Sequence, residues 1–169
     1  GASGCCTPLT WQEDFEAGLP GWEISGSSGD FGWQASQAKA VSGSFSLAYS
    51  NAAGTEYNPN AFGTAISPPL DLPDQSGVSL VFQLWYEIES CCDDFDLFIL
   101  TDAGEVNLGN WVGTGATSWQ EVSVDVSEWA GQTVQLKFQF DSDGSVQYDG
   151  VFIDDLSITQ ECCSDDAEC

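Results

Sequence analysis

The chain contains no histidine among its 169 residues. Histidine is the commonest general base near neutral pH, the usual partner of a serine or cysteine nucleophile, and a common zinc ligand. Its absence therefore excludes histidine-dependent triads and the typical catalytic zinc sites. The acid–base chemistry that remains for this chain is the chemistry of carboxylates.

Basic side chains are almost missing as well. Two lysines and arginines stand against 27 aspartates and glutamates, which gives a formal net charge of −25. Binding to nucleic acids and to anionic lipid head groups relies on Lys and Arg, so this charge argues against both functions. A surplus of carboxylates favours hard cations that prefer oxygen ligands, and we expect calcium as a cofactor.

The sequence has no run of about 18 apolar residues and no basic segment before an apolar one. It predicts neither a membrane span nor a signal peptide, and we expect the chain to be a mature fragment. The seven cysteines form three adjacent pairs plus Cys169, without the CxxC spacing of zinc and redox motifs. That number of thiols suits an oxidising compartment, which predicts a secreted or surface-displayed protein.

A length of 169 residues fits one domain with a sizeable core. From Val78 onward apolar and polar residues alternate, which is typical of strands with one solvated face. The clearest segments are 78–88, 121–126 and 133–140, with shorter candidates at 45–49, 95–99 and 152–158. Seven or eight short strands without a helical pattern predict an all-β antiparallel β-sandwich, because each sheet must bury its apolar face. Segments 25–32 and 51–73, rich in Gly, Ser or Pro, are predicted to be long loops.

Four short motifs follow one another along the chain. They are Asp14–Trp22 (DFEAGLPGW), Ser42–Leu47 (SGSFSL), Ser118–Asp125 (SWQEVSVD) and Asp149–Leu156 (DGVFIDDL). Together they resemble the MAM-like group of modules, which includes cleaved-adhesin domains of bacterial surface proteases and accessory domains of secreted bacterial peptidases. The resemblance implies a galactose-binding-domain-like jelly roll that is non-catalytic, carries structural calcium and acts in adhesion or glycan recognition. Segment 25–30 departs from the cleaved-adhesin pattern because it lacks the acidic loop expected after the first tryptophan.

The resemblance covers residues 11–160, which we predict to be the jelly-roll domain. Residues 1–10 then form an N-terminal extension with a cysteine pair. Residues 161–169 are polar and rich in cysteine, and they are predicted to begin a linker or a small Cys-rich module.

The cysteine pairs lead to two predictions. In jelly rolls of this group the first and last strands lie side by side, which brings Cys5 and Cys6 toward Cys162 and Cys163 and predicts disulfides there. The third pair, Cys91 and Cys92, then has no distant partner. A bond between these two neighbours, free thiols and another bridge all stay open, because adjacent Cα atoms are closer than the usual disulfide separation.

The same neighbouring strands predict a metal site. Glu16 ends the first strand and Asp154 and Asp155 lie in the last, and the resemblance implies that Glu16 and one of the two aspartates bind calcium. Three like charges at close range are costly unless they are protonated or bound to a cation. The alternative is that one aspartate caps a turn and the others are solvated.

A second candidate metal site comes from acidic residues in two turns. They are Asp93, Asp94 and Asp96 in one turn and Asp141, Asp143 and Asp149 in the other. If the two turns share one end of the sandwich, their oxygens can surround a second calcium ion. The alternative is that acidic turns simply reflect the charge of this chain.

A candidate ligand site rests on the parity of the strand residues. Trp85 and Gln83 have the parity of the solvated face, and Gln135 is expected to project onto the same surface. An aromatic plane flanked by amides suits a sugar, because the ring packs on C–H groups while the amides bond the hydroxyls. The alternative is that the loop 51–73 covers Trp85.

The sequence therefore predicts a non-catalytic, calcium-stabilised module of a larger secreted protein that binds a glycan or a surface protein. Glu87 and Glu89 lie two apart on one strand face, but the longer acidic motif of related jelly-roll glycosidases is missing, so no enzymatic activity is predicted. The rival prediction is a structural domain that stabilises a neighbouring peptidase or surface fibre and has no glycan ligand.

Overall fold

The computed structural model describes residues 9–161, with only the backbone described at Ala116 and Thr117. This range contains twelve strands and a single 3₁₀ turn, Ser127–Trp129. The strands are β1 (Leu9–Glu13), β2 (Glu23–Ser25), β3 (Gly32–Ser36), β4 (Ser46–Ser50), β5 (Phe62–Ile66), β6 (Leu70–Asp71), β7 (Val78–Glu87), β8 (Asp94–Thr101), β9 (Gly104–Trp111), β10 (Ala116–Asp125), β11 (Thr133–Asp141) and β12 (Gly150–Gln160). None of the helical segments in residues 9–161 has the length and apolar character that a membrane crossing requires.

The strands form two antiparallel sheets of six strands each. The first sheet has the order β10-β7-β12-β4-β3, with β1 paired to β12. The second has the order β2-β5-β11-β8-β9, with β6 paired to β11. The predicted all-β sandwich is confirmed, and the neighbouring first and last strands are present as the pair β1 and β12.

Alternation along the strands produces the buried faces. In β7 the residues Val78, Leu80, Phe82 and Leu84 are fully buried, and in β11 the residues from Val134 to Phe140 bury every second side chain. Both patterns were predicted from the sequence, and they follow because successive side chains of a strand point to opposite faces of a sheet.

Two segments without an alternating apolar signal are strands nevertheless. The predicted loop 51–73 contains β5 and β6, so this part of the loop prediction is wrong. The inward residues of β5 are Gly63 and Ala65, and a side chain at Gly63 would collide with the ring of Tyr49. β9 was also missed, because it is an edge strand on which no residue is fully buried.

The core between the sheets is centred on Phe138 in the middle of β11. Its ring lies 6.2 Å from Trp33 and 5.9 Å from Phe82, which belong to the first sheet, and 6.0 Å from Phe95 of the second sheet. The ring of Trp22 stacks at 6.3 Å. Aromatic pairs at these separations add to the free energy of burial. Phe138 therefore joins the two layers.

We expect Phe138→Ala to lower the free energy of unfolding by about 3–5 kcal/mol, because it opens a cavity between the sheets. Phe62→Ala is the matched control, since Phe62 is 58% exposed and Phe138 is 0% exposed. The control should stay within about 0.5 kcal/mol of the wild type in urea denaturation followed by circular dichroism. Equal losses in the two variants would contradict this description of the core.

Candidate metal site and ligand face

Three loops meet at one end of the sandwich. The loop before β5 is joined to the loop between β11 and β12, because the Tyr57 N–H donates to the Tyr148 carbonyl at 3.0 Å and the Asn60 N–H donates to the Asp143 carbonyl at 2.7 Å. The third loop connects β7 and β8. Its residue Glu89 donates its backbone N–H to the Tyr57 hydroxyl at 3.1 Å.

These loops bring together the carboxylates of Glu89, Asp93 and Asp143, which we call the loop-end cluster. One oxygen from each lies within 4.8 Å of the others. Asp93 is completely buried; it accepts the Tyr57 hydroxyl at one oxygen and the Asp143 N–H at the other, at 2.9 Å. The Oε2 atom of Glu89 is buried and has no hydrogen-bond partner among residues 9–161.

The electrostatics of the loop-end cluster are unfavourable for charged carboxylates. Desolvation raises the pKa of Glu89, and the neighbouring carboxylates of Asp143 and Asp93 raise it further. Such a site holds either a shared proton or a cation, since like charges at this distance repel. The donor set consists of hard oxygens, and the Val146 carbonyl approaches the same Tyr57 hydroxyl at 3.4 Å. The residues therefore fit the calcium ion that the family resemblance implies.

The structure divides the six aspartates of the second predicted metal site. Asp93 and Asp143 meet in the loop-end cluster together with Glu89, which that prediction did not include. The other four lie elsewhere. Asp94, Asp96 and Asp141 lie on strands β8 and β11, and Asp149 forms an ion pair with Lys39 at 3.0 Å.

The carboxylates of the first predicted metal site bind loop residues instead of one another. Glu16 accepts the N–H groups of Ser44 and Phe45 at 2.9 and 2.7 Å. The fully buried Asp154 accepts the N–H groups of Val41 and Ser42 at 2.7 and 3.2 Å. Together with the Ser42–Asp155 hydrogen bond, these contacts form what we call the terminal clasp, made of Glu16, Asp154, Asp155 and residues 41–45.

The terminal clasp explains why three of the four sequence motifs occur together. Gly43 has φ of 58°, and a Cβ at this position would lie 2.4 Å from the Glu16 carboxyl carbon. Only glycine leaves room for Glu16 to reach the next two N–H groups. Glu16, Asp154 and Asp155 do not form a group with oxygens within 4.8 Å, among the residues that the structure describes. Burial raises the pKa of Asp154, while its N–H partners act in the opposite direction.

Cys91 and Cys92 are bonded to each other at the tip between β7 and β8. Of the alternatives that the sequence left open for this pair, the structure has the bond between neighbours. The predicted disulfides of Cys5 and Cys6 with Cys162 and Cys163 lie outside the described residues 9–161.

Trp85 is not an exposed platform, so this part of the predicted ligand site is wrong. Trp85 is only 9% exposed, and its ring packs edge-on against Phe152 of β12 at 5.5 Å. The ammonium group of Lys39 lies 4.2 Å from the centre of the ring. Trp119 packs against the same small cluster. The predicted solvated face is thus covered by neighbouring side chains of the first sheet and by Lys39.

Gln83 and Gln135 do not share a surface. Gln83 lies on β7 in the first sheet, whereas Gln135 lies on β11 in the second, and the core separates them. Parity correctly placed each side chain on a half-exposed face. It could not show to which of the two sheets each strand belongs, and that is why the predicted combination with Trp85 is wrong.

A polar surface does exist on the second sheet, and we call it the second-sheet face. It consists of the outward residues of β5, β11, β8 and β9. Its cross-strand rows are Phe62–Asp141–Asp94, Thr64–Gln139–Asp96–Asn110, Ile66–Lys137–Phe98–Asn107 and Gln135–Leu100–Glu105. Rows of this kind place side chains close enough to touch one ligand together, since neighbouring strands lie about 4.8 Å apart.

Amides and carboxylates organise the centre of the second-sheet face. Asp96 Oδ1 accepts the side-chain amides of Asn107 and Asn110 at 3.0 and 2.9 Å, and Asn110 also donates to Asp94 at 3.1 Å. Burial raises the pKa of Asp141, and the charges of neighbouring aspartates add to this shift.

The second-sheet face ends in an aromatic side chain on one side and a depression on the other. Phe62 is the most exposed large hydrophobic side chain in residues 9–161. The depression has a volume of about 400 Å³ and is lined by Gln135 together with Pro69, Leu100 and Thr101. Gln135, predicted as a ligand residue, thus belongs to this face without Trp85.

The fold is a jelly-roll β-sandwich of the type found in adhesin and carbohydrate-binding domains. Residues 39–169 match the family described as Immune inhibitor A-like, MAM domain, and the chain belongs to this family. Solved structures agree with the fold. The K1 cleaved adhesin domain of Lys-gingipain from Porphyromonas gingivalis superposes with a TM-score of 0.62 at 18% identity, over 89% of this chain and 98% of that one.

A further solved structure is TmCBM61 in complex with β-1,4-galactotriose. It has a TM-score of 0.63 and 15% identity, and the match covers 88% of this chain and 94% of that chain. Among curated proteins, Bacillopeptidase F of Bacillus subtilis is 28% identical over 89% of this chain and 11% of its own length. The pre-pro-metalloprotease PrtV of Vibrio cholerae is 30% identical over 55% of this chain, again 11% of its own length. The chain therefore spans about a tenth of these relatives.

Sequence reasoning did not single out Glu89 as a metal candidate, nor Phe62 as an exposed aromatic residue. Glu89 stands four residues before Asp93 across the tip, a spacing that the sequence shows. The sequence around Phe62 has no strand pattern that would predict an outward-facing ring, since Phe62 lies in the predicted loop 51–73.

We expect Trp85→Ala to lower the free energy of unfolding by about 3 kcal/mol or more, because the ring is packed against Phe152. Gln83→Ala, a half-buried residue of the same strand, should change it by less than about 1 kcal/mol. Chemical denaturation measures both variants. If Trp85→Ala unfolds at the same urea concentration as the wild type, the tryptophan is not part of the packing.

Proposed function

We propose that this chain is a non-catalytic accessory domain of a larger secreted protein, and that its second-sheet face binds a neutral oligosaccharide. The observation that carries the proposal is the exposed ring of Phe62 beside rows of amide and carboxylate side chains. Support comes from the shared fold with carbohydrate-binding domains and from the small part of each peptidase relative that the chain matches.

The chemistry of the second-sheet face suits a sugar. Phe62 offers an aromatic plane for C–H groups, while Gln139 and the asparagines of β9 offer donors and acceptors for hydroxyls. Asp141 lies six positions after Gln135 on β11, which corresponds to about 20 Å at the rise of a strand. A face of this length accommodates an oligosaccharide better than a single sugar ring.

The charge of the face selects neutral ligands. Asp94, Asp96 and Asp141 lie on it, and its one ammonium group, Lys137, is paired with Glu105 at 2.6 Å. The aspartates would therefore repel a sugar that carries a sulfate or uronate group, and no lysine within residues 9–161 is free to pair with that group.

We expect Phe62→Ala to weaken the binding of a neutral oligosaccharide at least about fivefold, since an aromatic anchor contributes about 1 kcal/mol or more. The probe is β-1,4-galactotriose together with an array of neutral oligosaccharides, and isothermal titration gives the affinity. Val41→Ala is the matched control, because Val41 has a similarly exposed apolar side chain and contributes only its backbone N–H to the terminal clasp, away from the second-sheet face. Equal binding by Phe62→Ala and the wild type would rule out this face.

We further propose that the loop-end cluster binds calcium. The buried Glu89 oxygen without a partner supports this proposal, because a cation would satisfy it and would relieve the repulsion among three carboxylates. The terminal clasp has less need of a cation, since Glu16 and Asp154 accept several N–H groups.

Calcium should raise the melting temperature, because an ion that binds only the native state stabilises it by about 1.4 kcal/mol for each tenfold excess over its dissociation constant. Chelator should reverse the shift, which is several degrees for a domain of this size. Glu89→Gln should abolish the response. Glu87→Gln, at the end of β7 and outside the cluster, should keep it.

Thermal unfolding with calcium and with chelator decides between the two carboxylate sites. A response that survives in Glu89→Gln but disappears in Glu16→Gln would move the calcium ion to the terminal clasp. Identical melting curves of the wild type in calcium and in chelator would contradict calcium binding altogether.

One observation favours the rival function, a structural domain without a glycan ligand. None of the seven tryptophans is exposed, and all of them lie within the described residues. If the domain is folded and binds none of the neutral glycans on the array, that result would support this second function.

A further inference from the structure

The disulfide between Cys91 and Cys92 lies in an accessible position. Both residues are exposed, and they occupy the tip between β7 and β8. Reduction by a small dithiol requires only that a thiolate reaches one of the two sulfur atoms. Nothing within residues 9–161 covers this pair.

Glu89 is close to both sulfur atoms. One carboxylate oxygen of Glu89 and the Sγ atoms of Cys91 and Cys92 lie within 4.8 Å of one another. Glu89 therefore belongs to two groups of potential ligands, one with these sulfurs and one with the carboxylates of Asp93 and Asp143. The two groups differ in chemistry, because the first contains soft sulfur and the second only hard oxygen.

We propose that, once the Cys91–Cys92 bond is reduced, the two thiolates and the Glu89 carboxylate form a binding site for a thiophilic divalent cation such as Zn²⁺. A dithiol supplies two electrons and two protons. Its thiolate attacks one sulfur, the bond between the cysteines breaks, and its second thiol closes a disulfide in the reductant. The metal then displaces the two thiol protons, and a water completes four-coordinate geometry.

The oxidation state of Cys91 and Cys92 thereby determines which type of cation the Glu89 carboxylate binds. In the disulfide form the carboxylate is free to join Asp93 and Asp143 around a hard cation. In the dithiol form the Glu89 carboxylate and the two thiolates together bind a soft cation. This competition rests on the calcium site proposed above, whereas the thiophilic site itself does not.

The test uses Co²⁺ as the probe, because thiolate ligation gives it a charge-transfer absorption that oxygen ligands do not give. The full chain is reduced with a resin-bound dithiol, filtered without oxygen and titrated. Reduced wild type should show this band and bind at least about tenfold more tightly than Cys91→Ser/Cys92→Ser, as expected from the loss of ligands. The other cysteines are common to both proteins, so only the band and the binding that the double serine variant lacks are assigned to Cys91 and Cys92.

Glu89→Gln leaves the cysteines in place and should weaken Co²⁺ binding, while Glu87→Gln should not. Calcium binding by the oxidised protein is measured in parallel. Asp143→Asn serves as the variant that removes a ligand of the loop-end cluster and leaves the sulfur group unchanged. Loss of calcium binding with an intact Co²⁺ site would disprove only the calcium proposal. Equal Co²⁺ titrations of reduced wild type and the double serine variant, or a bond that the dithiol fails to open, would overturn the thiophilic site.

Discussion

Aromatic rings pack against one another between the two sheets and hold the sandwich together. Phe138 contacts rings from both layers, and it fixes which residues of β11 point inward. A shift by one residue would exchange the two faces of a strand. The outward positions of Lys137 and Gln139, and with them the whole second-sheet face, therefore follow from the burial of Phe138.

Alternation was sufficient to predict β7, β11 and the sandwich architecture, because strictly alternating strands need a second sheet. It failed at β5, where the inward residues are small and Gly63 leaves room for the ring of Tyr49, and at the edge strand β9. It also placed Gln135 correctly on an outer face but could not assign that face to a sheet. The cover over Trp85 depends on Lys39, which is distant in sequence, so no local pattern could predict it.

Charge separates the two carboxylate sites. The chain has two lysines, and both are engaged in ion pairs, so its clustered carboxylates depend on other partners. At the terminal clasp those partners are the N–H groups of residues 41–45, for which the glycine at position 43 leaves space. At the loop-end cluster fewer donors are present and one Glu89 oxygen has none within residues 9–161. The sequence motifs indicated the first site. For the second, the acidic turns indicated Asp93 and Asp143, whereas Glu89 is identified only by the way the loops meet.

A nuclear magnetic resonance titration with β-1,4-galactotriose distinguishes the proposed second-sheet face from the surface around Trp85. Binding at the second-sheet face should shift the side-chain amide signals of Gln139, Asn107 and Asn110 and the ring signals of Phe62, while the indole signals of Trp85 and Trp119 stay unchanged. Shifts confined to those two indoles would place the ligand on the first sheet and rule out the second-sheet face.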